Sequence, residues 1–167
     1  MKSAVRIAMV MAFMLSFAVA QQAKKTGVLE GADLKTVVPS SYFFDGLNAP
    51  VQERNSGAVR FTNGKLFIVA MVDNSGYSAD VQKKYQGLLI TETKITINDA
   101  ELGPGEYGFG FLADGKFAVM DVASNALLHS DYKTDDTLKR AVPLKIVADG
   151  DSYKLYAGKK YVTVKAK

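Results

Sequence analysis

The chain has 167 residues, no cysteine, one histidine, and 21 basic side chains against 17 acidic ones. The absent cysteines exclude disulfides, thiolate chemistry and a cysteine-borne lipid anchor, and a single histidine excludes multi-histidine metal sites. Lys2 and Arg6 both lie in the first twenty residues, so the rest has 19 basic against 17 acidic groups, a net charge of +2, which gives no general drive toward nucleic acid.

Residues 1–20 read as a cleavable export signal. Lys2 and Arg6 form a positive start, Ile7 to Ala20 is uncharged, and Ala18-Val19-Ala20 supplies the small-x-small pattern of a cleavage site. A membrane anchor would need about 20 apolar residues, more than this stretch offers. Cleavage after Ala20 would leave Gln21 first, in a single exported domain, periplasmic or secreted and not lipid-anchored. No later apolar run is long enough to span a membrane as a helix.

Residues 21–33 are polar and weakly patterned, and are expected to be a flexible lead-in to a β domain over 34–167. Tyr42-Phe43-Phe44 is an aromatic run before a Gly-Leu-Asn-Ala-Pro loop. A strand is expected around Val59, and Asn63-Gly64 then turns into the nearly continuous apolar run Lys65–Val72. Ser78–Gln86 is the one helix candidate. Ser78 serves as cap, Asp80 lies in the first turn, Lys83 and Lys84 lie in the last, and Gly87 stops it.

Lys94–Ile97 alternates, and Asn98-Asp99 turns the chain. Tyr107, Phe109 and Phe111 alternate with Gly108 and Gly110, making one aromatic face and one of bare backbone. Asp114-Gly115 leads into Lys116–Val122. Asp149-Gly150 joins Val142–Ala148 to Ser152–Tyr156, and Lys160–Val164 closes the set. The Asn-Gly and Asp-Gly pairs predict two-residue type I′ hairpin turns. A short turn is expected over Asp135–Arg140. The expected fold is all-β, one domain of about eight mostly antiparallel strands with one short helix, as a sandwich or a small barrel.

The stretch from Ile95-Thr96-Ile97-Asn98 to Leu102-Gly103-Pro104-Gly105-Glu106-Tyr107 resembles a pattern of exported bacterial β-sandwich domains, a strand and then L-x-x-G-x-Y leading into the next strand. The resemblance implies a β fold outside the cytoplasm and brings no functional residues with it.

No catalytic set, metal site or cofactor motif stands out. His129 sits between Leu128 and Ser130-Asp131, but sequence adjacency does not make triad geometry. Asp131, Asp135 and Asp136 lack the spacing of a calcium loop. Glu92, Glu101 and Glu106 are the carboxylates from which a hydrolytic pair could be drawn. Lys154, Lys159, Lys160, Lys165 and Lys167 form an acid-free run that reads either as charge blunting an exposed sheet edge or as a surface for an anionic envelope component.

The expected function is therefore that of an exported, non-enzymatic binding domain for a small apolar molecule or a protein or envelope partner. Tyr42, Phe43, Phe44, Tyr107, Phe109 and Phe111 are the candidate ligand-binding residues. The alternative is a hydrolase using His129 or a carboxylate pair.

Overall fold

The computed structural model describes residues 25–167; the export signal expected over 1–20 lies outside the described residues. Two antiparallel sheets face each other and neither closes on itself, so the architecture is a sandwich and not a barrel.

The first sheet runs β1 (Gly27–Leu29), β3 (Leu47–Arg60), β4 (Leu66–Val72), β5 (Gly87–Thr91), β8 (Gly105–Phe111), β9 (Lys116–Met120), β10 (Ala126–Asp131), with β2 (Ser41–Phe44) paired to β3. The second runs β12 (Val142–Asp149), β13 (Ser152–Gly158), β14 (Lys160–Ala166), β6 (Ile95–Ile97), β7 (Ala100–Leu102), with β11 (Lys133–Thr134) paired to β14. The expectation of about eight strands falls short of the fourteen among the described residues. Of the additional ones, β1, β7 and β11 are only two or three residues long and depend on their partners rather than on their own alternation, whereas β2, β5 and β10 have four, five and six residues.

Alternation along each strand sorts the apolar residues. Phe67 and Val69 of β4, Leu89 of β5, Phe109 and Phe111 of β8, and Phe117 and Val119 of β9 meet Ile95, Ile97, Leu144, Ile146, Leu155, Val162 and Val164 from the second sheet. Gly57 of β3 lets the two sheets approach, since a Cβ there would lie 3.1 Å from the Ile146 side chain.

The intervening residues of the first sheet face outward, and that face is roofed. The long strand β3 is interrupted by a bulge between Val51 and Ser56, and its first half carries the β2 hairpin across the sheet. Phe44 lies over Gly108, where a Cβ would come within 2.4 Å of the ring. The Lys84 carbonyl lies over Gly110, where a Cβ would come within 2.1 Å. The bare-backbone face of β8 is thus the seat of the roof.

Helix α1 (Gly31–Lys35) and the residues after it cover Leu29, Ala58 and Ile68 at the other side of this face. Part of the stretch expected to be a flexible lead-in, 21–33, is therefore ordered: Gly27–Leu29 pairs with Ala58–Arg60, and Leu29 is buried. Helix α2 (Ala79–Lys84) matches the expected one, with the Val81 N–H donating to the Ser78 hydroxyl.

The hairpins form where expected, but their turn chemistry differs. Asn63, Asp114 and Asp149 keep ordinary backbone angles and only Gly64, Gly115 and Gly150 take positive φ. In the first two, three-residue loops are closed by Phe61 N–H to Lys65 O (2.9 Å) and Leu112 N–H to Lys116 O (2.7 Å). The Asn63 and Asp114 side chains accept from the amides two residues on, and this local bond leaves a single left-handed position for glycine. The turn in which both residues have positive φ is Asp45-Gly46 (46° and 82°), inside what the sequence suggests is a loop.

Candidate binding face

The six aromatic candidates do not form one site. Tyr42 and Phe44 are buried in the roof on the outer face of the first sheet, Phe44 stacked on Tyr85 at 3.9 Å between ring centres. Tyr77 joins them, its hydroxyl shared between the Phe44 and Leu47 carbonyls at 2.9 and 3.0 Å. Burial pushes the Tyr42 and Tyr85 hydroxyls well above the ordinary phenol range, so neither ionises in the folded protein.

Phe109 and Phe111 lie on the opposite face of the same sheet, in the interior between the sheets, and Tyr107 packs against that cluster. The Tyr107 hydroxyl donates to Gly103 O at 3.1 Å and fastens the turn before its own strand. Phe43 alone points out and is 53% exposed. None of the six lines the three described clefts, of roughly 320 to 370 Å³, which lie beside α1 and at the β6–β7 turn.

The titratable candidates are likewise dispersed. His129 projects from β10, an edge strand, and makes no hydrogen bond to a hydroxyl or carboxylate among the described residues. Its neighbours are engaged elsewhere: Ser130 Oγ accepts from Asn98 Nδ2 at 2.7 Å, and Asp131 pairs with Lys116 at 2.7 Å. Glu92 accepts the Leu66 amide, Glu101 lies on the second sheet, and Glu106 lies on the first near Tyr42. Asp135 accepts from Thr137 and from the Tyr156 hydroxyl at 2.8 Å.

Asn98 ties the two sheets together. It sits at φ 51° in the β6–β7 turn and donates to Ser130 and to the Asp131 carbonyl of β10, while accepting the Thr163 amide of β14. Replacing it by alanine removes all three bonds and leaves a left-handed position without glycine or asparagine. The expected cost is about 2 kcal/mol, read as a lowered urea midpoint.

One broad surface remains largely open, the outer face of the second sheet; Tyr156 is its one buried residue, its hydroxyl donating to Asp135 after β11. No hydrophobic cluster forms on it among the described residues. The register arranges its side chains in rows. Lys145, Tyr156, Tyr161 and Lys133 lie abreast on β12, β13, β14 and β11. In the next row Val147, Lys154 and Thr163 are paired neighbours. Beyond them come Asp149 opposite Ser152 on one side, and Lys165, Thr96 and Glu101 abreast on the other.

Lys94, one step before β6, and Lys167, one step after β14, complete the face and both pair with Glu101. Those two ammonium groups hold the Glu101 carboxyl down to about 2, so it stays ionised at neutral pH. Asp149 pairs with Lys154 at 3.1 Å and keeps that ammonium charged. Tyr156 and Tyr161 lie 5.2 Å apart, and Lys154 stands 5.3 Å above the Tyr161 ring. Six lysines thus share the face with Asp149 and Glu101, with Asp135 at its margin.

The lysine-rich run around β14 is therefore not the guard of an exposed edge. β14 lies inside its sheet, between β13 and β6, and the edges are β12 and β7. Sequence reasoning found Lys154, Lys165 and Lys167 but missed Lys145, Lys133, Tyr156 and Tyr161. The available signal was alternation: in Leu144-Lys145-Ile146-Val147 and Lys154-Leu155-Tyr156 the polar or tyrosyl positions alternate with the buried ones.

Compared with protein-family models, curated proteins and solved structures, the chain matches none.

Proposed function

We propose that this chain is an exported, non-enzymatic binding domain that holds a component of the cell envelope against the outer face of its second sheet. The observation that carries this reading is the asymmetry of the sandwich. The first sheet's outer face is roofed by a hairpin and two helices, whereas the second sheet's is left open and set with lysine and tyrosine. Export is supported by Lys2, Arg6, the uncharged Ile7–Ala20 stretch and the Ala18-Val19-Ala20 site. A small apolar ligand finds less support, because five of its six candidate residues are built into the two cores or packed against them. The hydrolase alternative gains no geometry from His129, whose neighbours Ser130 and Asp131 bond elsewhere.

The test is salt release from washed envelopes of the native host. Exposed charge contacts are screened within about 10 Å at 0.1 M salt. The protein is expected to sediment with envelopes at low salt, to come off between about 0.1 and 0.5 M NaCl, and to have the mass of a chain beginning at Gln21. A protein that stays in the supernatant at low salt, or one that retains residues 1–20, contradicts the reading.

A further inference from the structure

The register places one lysine on each successive strand of the open face, and each is two residues further along than the last. Lys145 lies opposite Tyr156, two residues from Lys154. Lys154 lies opposite Thr163, two residues from Lys165. Lys165 lies opposite Thr96, two residues from Lys94. The result is a straight diagonal from β12 to the start of β6. Diagonal neighbours in an antiparallel sheet stand about 7–8 Å apart, so the line is on the order of 20 Å long. Asp149 lies off one flank and Glu101 off the other. Four of the six lysines thus lie on one stripe, with Lys167 beside Lys94 at its end and Lys133 off it on β11.

From this stripe we infer that the envelope component is a linear anionic polymer, with carboxylate or phosphate groups repeated along its chain, lying along Lys145, Lys154, Lys165 and Lys94. This rests on the proposed role of the open face and names its partner class. A bilayer fits less well. It would favour positive charge spread over the plane and apolar side chains to insert. The large apolar residue exposed on this face is Val147 alone, at 38%. The acids on the two flanks would also lie against lipid headgroups, whereas a narrow chain passes between them. Lys145 and Lys165 form no ion pair among the described residues and are available to the polymer. Tyr161 lies beside the stripe, under Lys154, as a firm floor.

The test uses the protein as exported by its host, with polygalacturonate as the probe, monomeric galacturonate and neutral dextran as controls, and phosphatidylglycerol vesicles as the planar alternative. Long polygalacturonate is expected to bind with an affinity that falls steeply with salt. The monomer should bind far more weakly because it cannot span the stripe.

Charge contacts of this kind contribute roughly fivefold each, so Lys145→Gln with Lys165→Gln should weaken binding about twenty-five-fold. These two lysines are exposed, so the fold should survive; an unchanged melting curve checks it. Lys65→Gln with Lys83→Gln, away from this face, should leave binding unchanged.

Binding of vesicles but not polymer, equal binding of dextran, or an unaffected Lys145/Lys165 variant overturns the inference. If the vesicles or dextran nevertheless protect Lys165 from acetylation, the open face remains the binding face and only the polymer is wrong. If no probe and no envelope fraction protects Lys165, both readings fall.

Discussion

Phe44→Ala is expected to cost about 3–5 kcal/mol of folding stability, whereas Phe43→Ala, one residue earlier, should change it by about 0.5 kcal/mol or less. The two rings are neighbours in sequence and belong to opposite faces of one short strand. Phe44 is fully buried, stacks on Tyr85 and fills the space above Gly108, so its loss opens a cavity the roof cannot close. Phe43 is half exposed and contributes little. Urea denaturation of both variants decides the matter. Equal costs would mean that the hairpin does not lie on the sheet as described. A mild cost for Phe44→Ala alone would mean that the roof is only loosely held.

Gly110→Ala should be among the most damaging small substitutions, costing about 3 kcal/mol, the upper end of the range for overpacking. The added methyl would lie 2.1 Å from the Lys84 carbonyl oxygen. That obstacle is backbone, held in place because the next residue, Tyr85, is buried and the Gln86 amide donates to Phe109 O at 2.8 Å. A side chain could rotate aside; this carbonyl moves only if the segment after α2 lifts from the sheet. Gly76→Ala is the control, since a Cβ there meets nothing within 4 Å and the backbone angle suits any residue. Its expected change is within about 0.5 kcal/mol. Thermal melts that rank the two variants equally would contradict the close seating of the roof.

The alternation of Tyr107, Phe109 and Phe111 with Gly108 and Gly110 was enough to read a strand with one aromatic and one bare face. What sat on the bare face was not legible. Phe44 and Lys84 reach it from far along the chain, and such contacts leave no local periodicity. The helix at Ala79–Lys84 was legible because its cap and end charges are local. Strand β10 was not, because its bulge at Leu127 breaks the alternation that would reveal it.

The candidate site followed the same rule. The lysines after Ser152 were visible as a run, and read alone they suggested an edge. Their place inside the sheet depends on Ala166 pairing with Ile95, a contact between distant parts of the chain. The stripe itself depends on the registers of four strands together, so no single segment of sequence displays it.

The absence of cysteine from the chain allows a direct measurement of which face binds. Thr163→Cys places a single thiol in the centre of the open face, and Asp80→Cys places one on exposed helix α2 of the roof. Each is charged with a photoactivated crosslinker and illuminated on envelopes of the host. A crosslinked product from Thr163→Cys and none from Asp80→Cys is the predicted result. A product from Asp80→Cys alone would contradict the assignment of the second sheet's outer face as the binding surface.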